Sequence, residues 1–72
     1  MLRFVVFRLE DMKFRDLVKM VKDNGWYEVR VNGSHRQFHH PLKKGTVTIA
    51  GSPNKDVPKG TLNNILKQAS LK

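Results

Sequence analysis

The chain has 72 residues, which makes one small domain. Fourteen Lys and Arg against six Asp and Glu give a net charge of +8 and a pI near 10.3, a balance that favours polyanions because phosphate contacts release condensed counterions. The absence of cysteine excludes a disulfide framework and a thiolate zinc site, and is compatible with a reducing cytoplasm.

Residues 1–11 contain Leu2, Phe4, Val5, Val6, Phe7 and Leu9, interrupted by Arg3 and Arg8. This stretch is far shorter than the roughly 20 apolar residues that span a bilayer. It also lacks the small-residue cleavage site of a signal peptide. It is expected to be an N-terminal extension, either an added strand or residues upstream of a natural start at Met12, with one domain over 12–72.

From there the apolar periodicity alternates between helical and extended. Phe14, Leu17, Val18 and Val21 fall at i, i+3, i+4 and i+7, one face of an amphipathic helix from about Phe14 to Asn24, which Gly25 stops. Trp26 to Val31 alternates as a half-buried strand, with Tyr27, Val29 and Val31 on one face and Trp26, Glu28 and Arg30 on the other. Asn32-Gly33 signals a hairpin through a type I′ turn. A second strand is predicted over His35–His40, closed by Pro41, and a short third one over Thr46–Ile49. The stretch from Ala50 to Val57 holds Gly51, Pro53 and Asn54 and reads as a loop. Leu62, Ile65, Leu66 and Ala69 then repeat the helical spacing in a second helix, roughly Pro58–Leu71. The fold class is therefore α+β, in the order α-β-β-β-α. A three-stranded antiparallel sheet with both helices on one face would bury every apolar stripe at once.

Chemistry concentrates around the hairpin. If Phe38 packs under the helices, Arg36 and His40 share its side, and His35, Gln37 and His39 face the open side of the sheet. His35 and His39 would lie about 13 Å apart along an extended strand, and His39 and His40 point to opposite faces, so no metal site is expected. Imidazole ordinarily titrates near pH 6.5, so His35 suits a general acid or base. RNA supplies its own nucleophile, the 2′-OH, and needs only a base to release it. Gly33 and Ser34 could cradle a phosphate, and Arg36, Lys43, Lys44 and Lys59 could hold the backbone and the charge that develops on it. On the residues alone, His35, Gly33 and Ser34 read first as ordinary turn chemistry, Lys59 equally well as a plain helix start, and Trp26 or Tyr27 more as core than as a base-stacking platform.

The succession Asp23-Asn24-Gly25-Trp26, Gly33-Ser34-His35-Arg36-Gln37-Phe38, His40-Pro41, Val47-Thr48-Ile49-Ala50-Gly51 and Pro58-Lys59-Gly60-Thr61-Leu62-Asn63-Asn64-Ile65-Leu66-Lys67-Gln68-Ala69 resembles the HicA-type mRNA interferase toxins over nearly all of 12–72. The resemblance implies a fold like a double-stranded-RNA-binding domain. It implies a ribosome-independent and metal-independent endoribonuclease that cleaves mRNA without a cofactor, with its catalytic histidine at His35 and its motif glycine at Gly33. The implied partners are mRNA and a HicB-type antitoxin that masks the active site, and neither a membrane nor a small-molecule cofactor is implied. Two positions depart from the pattern. Some relatives carry a second histidine in the loop after the third strand, where this chain has Ser52, and relatives commonly have glycine at the position of Ser70. The rival expectations are a non-catalytic RNA-binding module of the same fold and a protein-interaction domain whose positive face meets an acidic partner.

Overall fold

A computed structural model describes residues 12–71, so the expected N-terminal extension over 1–11 lies outside the described residues. The elements run α1 (Phe14–Asp23), β1 (Tyr27–Asn32), β2 (His35–His39), β3 (Val47–Ala50) and α2 (Lys59–Gln68). The sheet is antiparallel in the order β1-β2-β3. This is the predicted α+β architecture, with each boundary within three residues of the sequence reading.

The two helix ends show why the chain stops where it does. After α1, the Gly25 N–H donates to the Lys22 carbonyl and the Trp26 N–H to the Val21 carbonyl, both at 3.0 Å. This is a Schellman cap, with Gly25 in the left-handed region at φ +96°. After α2 the same pair of bonds recurs, from Ser70 to Lys67 at 3.1 Å and from Leu71 to Leu66 at 2.8 Å. Here the left-handed residue is Ser70, at φ +58°. At the start of α1, Asp16 accepts the Lys13 N–H at 3.0 Å, and the loop before α2 supplies the Lys55 and Pro53 carbonyls to the N–H groups of Phe14 and Arg15.

One core lies between the sheet and the helices. Phe14, Leu17 and Val21 from α1 and Leu62, Ile65 and Leu66 from α2 meet Phe38, Val47 and Ile49 of the sheet, with Met12, Trp26, Val57 and Ala69 closing the sides. Gly51 fits this packing because a Cβ there would sit 2.5 Å from the Phe14 ring. Both helices run the same way. Their C-terminal ends lie at the loop after β2, where His40 Nε2 meets the Asn24 carbonyl at 3.0 Å and Lys43 Nζ meets the Ala69 carbonyl at 3.4 Å. The opposite end holds the β1–β2 turn, where the Gly51 N–H donates to the Ser34 carbonyl at 3.2 Å.

Two local expectations are corrected. The hairpin loop is Gly33-Ser34, flanked by the pair Asn32 and His35. Gly33 has φ +62° and Ser34 does not share a positive φ, so the turn is of the II′ kind, with glycine first, and not type I′ centred on Asn32-Gly33. The alternation in β1 also breaks. A bulge between Glu28 and Arg30 leaves Val29 as an extra residue, so Arg30 pairs with Gln37 and Val31 with Arg36. Arg30 therefore joins Tyr27 on the open face, and Val31 moves to the helix side of the sheet.

Candidate active site

His35 opens β2 immediately after the turn, paired laterally with Asn32 and with Ala50. Its ring is exposed, and among the described residues it makes no side-chain hydrogen bond. The pairing of β2 with β3 is regular from His35 to Phe38, so strand parity holds there. With Phe38 fully buried, His35, Gln37 and His39 lie on the open face as the alternation predicts. Gly33 and Ser34 stand next to His35, and the start of the loop that carries Ser52 is tied to them through Gly51.

The cations do not converge. Arg36 lies on the helix side, bonded to Glu28 at 3.0 Å and bordering a cavity of about 200 Å³ with Phe14, Arg15, Val18 and Ile49. The sheet thus separates it from His35. Lys43 neutralises an orphan carbonyl at the C-terminus of α2, and Lys44 is its exposed neighbour, both at the far end of β2 from His35. Lys59 opens α2 at the near end, exposed, after a loop that runs past the start of α1. Of the residues expected to serve the site, the fold gathers Gly33, Ser34 and His35, brings Lys59 to the same end, and sends Arg36, Lys43 and Lys44 elsewhere.

The other two histidines have separate roles. His40 Nδ1 accepts the N–H groups of Leu42 at 3.0 Å and Lys43 at 3.2 Å while Nε2 faces the Asn24 carbonyl. Two donors at Nδ1 require the tautomer with its proton on Nε2. The ring stands edge-on to Trp26, with centroids 5.2 Å apart. His40 is thus a loop staple, and Trp26 belongs to the core. His39 packs edge-on against Tyr27, centroids 6.5 Å apart, and its Nε2 meets Thr46 Oγ1 at 3.2 Å. Sequence reading missed the place of Arg30 on this face, since nothing in the strand's residues marks the bulge that turns it. Among the described residues no three His, Asp or Glu side chains group closely enough to hold a metal ion.

A family model described as the HicA toxin of bacterial toxin–antitoxin systems matches residues 14–71, from the first residue of α1 to the Schellman cap of α2. The chain belongs to the HicA toxin family. No curated protein matches it closely enough to count as a relative. As a HicA toxin it has an antitoxin as its counterpart. None of its described helices is long and apolar enough to cross a membrane. The exposed β1–β2 hairpin tip carries the glycine, serine and histidine that form one part of the resemblance, and α2 carries another.

Proposed function

We propose that this HicA toxin is an endoribonuclease that cleaves mRNA independently of the ribosome and of metal ions, with His35 as its catalytic residue. The observation that carries this reading is the position of His35: an exposed imidazole on the open sheet face, at a tight turn, in a protein of net charge +8. An exposed ring is open to a phosphodiester drawn to the basic surface.

In the step envisaged, His35 takes the proton of a ribose 2′-OH. The freed oxygen attacks the adjacent phosphorus, the bond from phosphorus to the 5′-oxygen breaks, and that oxygen leaves with a proton. The products are a 2′,3′-cyclic phosphate and a 5′-hydroxyl. His35 can serve at either end of this transfer, as base or as acid, and the remaining proton is exchanged with water. Gly33 and Ser34 hold the turn that presents the ring. Lys59, at the same end of the molecule, is the expected lysine best placed to attract the phosphate, while Arg36, Lys43 and Lys44 would contribute to binding RNA only at a distance from the reacting bond.

A HicB-type antitoxin covering this hairpin would silence the toxin, and action on mRNA places the toxin in the cytoplasm. Residues 12–72 would form the toxin domain and 1–11 an extension to it. The non-catalytic RNA-binding module remains the alternative. Incubating purified protein with long single-stranded RNA in EDTA separates the two. Cleavage that ends in cyclic phosphates, and that fails on RNA methylated at every 2′-oxygen, supports the ribonuclease. Bound but intact RNA supports the alternative.

A further inference from the structure

The open face of the sheet extends well beyond His35. Tyr27, Val29, Arg30, Asn32, His35, His39, Thr48 and Ala50 of the three strands are all exposed, and Tyr27 keeps half of its surface free. The three strands contain one acidic residue, Glu28, and that residue lies on the other face, in its ion pair with Arg36. Among the described residues the open face therefore offers a cation, two imidazoles, amides, hydroxyls and a phenol ring, with no carboxylate from the three strands. The Tyr27 and His39 rings meet at 78° and form an aromatic corner, in which Thr46 steadies the imidazole. The bulge at Val29 turns Arg30 onto the same face, opposite Gln37.

We infer that this face is a binding platform for single-stranded RNA, in which the corner of Tyr27 and His39 receives one base and Arg30 a backbone phosphate, so that the strand runs along β2 toward His35. The inference rests on the ribonuclease reading and adds a substrate subsite to it. The run from His39 to His35 is about 13 Å, so the corner lies beyond the cleaved bond and selects for the state of the RNA. A base can stack on Tyr27 only if it is free of its own neighbours, which a duplex forbids. A nucleic acid fits this face better than an ordinary protein surface does, because its large apolar side chains are Tyr27 and Val29 alone and its strands add a cation with no carboxylate.

The test uses full-length protein carrying His35→Ala, so that bound RNA persists, and a short fluorescent RNA of mixed sequence, single-stranded or annealed to its complement. Tyr27→Ala is expected to weaken single-strand binding by about 5- to 100-fold. Tyr27→Phe should retain most of the affinity, and duplex binding should not respond to either change. Arg30→Ala should weaken binding and flatten its logarithmic salt dependence by about 0.7. Val31→Ala is the control, since the bulge places that residue on the helix side, and a thermal melt of each variant checks the fold. Parent affinity in Tyr27→Ala would overturn the platform, as would equal losses for single strand and duplex. Loss of antitoxin binding with RNA binding intact would make the face a protein surface and also overturn it. Failure of the two readings can be told apart. Tyr27-dependent binding by a protein that never cuts RNA supports the platform and removes the ribonuclease. Cleavage that requires His35 but ignores Tyr27 removes only the platform.

Discussion

His35 and His40 occupy opposite ends of one short stretch of chain, and the molecule uses their imidazoles differently. His35 makes no side-chain bond among the described residues, so its removal should leave stability within about 0.5 kcal/mol of the parent. His40 engages two backbone N–H groups and one carbonyl and lies against Trp26. His40→Ala should therefore cost about 2 kcal/mol, read as a lower denaturant midpoint at unchanged slope. A second prediction concerns Ser70, which adopts φ +58° as the residue after the α2 cap. A side chain in that region costs roughly 1–2 kcal/mol, of which glycine is free. Ser70→Gly should stabilise the protein by about 1 kcal/mol and raise Tm by about 4–8 °C; an unchanged or lower Tm would contradict the strain. The same scale explains what sequence reading could and could not see. Gly33, Ser34 and His35 are neighbours in the chain and so are neighbours in space. Alternation along β2 already puts Arg36 on the Phe38 side, away from His35, whereas the place of Lys43 depends on the Ala69 carbonyl, a partner that becomes visible only once the chain is folded.

At the scale of elements, both helices are legible from their apolar periodicity because each buries one stripe against one core, while β2 is marked by the Asn32-Gly33 turn signal before it and by Pro41 after it. β1 is an edge strand paired on one side and with none of its own residues buried, so its residues feel little pressure to alternate, and the bulge at Val29 passes unmarked in the sequence. The turn was recognised from Asn32-Gly33 but displaced by one residue. Gly33 serves either frame, and the pairing of Asn32 with His35 selects between them. The junction of α1 with β3 offers the clearest test of packing. A methyl group at Gly51 would lie within 2.6 Å of three Phe14 ring atoms, so Gly51→Ala must displace the first turn of α1. A loss of about 1–3 kcal/mol is expected, and a partial recovery when Phe14 is shortened to Leu in the same chain. Additive losses in the double variant would show that the two residues do not press on each other.

Over the whole molecule, two properties set behaviour. A chain of this size has a narrow stability margin, so Phe38→Ala, which empties a fully buried site worth about 3–5 kcal/mol, should leave the protein largely unfolded at room temperature by circular dichroism. The net charge is +8, and the described Lys and Arg residues stand on both faces and at both ends, with Lys43 and Arg36 tied to structural partners. Affinity for RNA should accordingly fall steeply with salt, while the proposed cleavage of the bound RNA would depend on the exposed ring of His35. The central claim is that His35 performs the chemistry. It is tested most directly by cleavage of long single-stranded RNA in EDTA by the parent and by His35→Ala at equal concentration. The variant should cleave about 10²- to 10⁴-fold more slowly, with its circular dichroism spectrum and RNA affinity retained. Undiminished cleavage by a folded His35→Ala protein would contradict that claim.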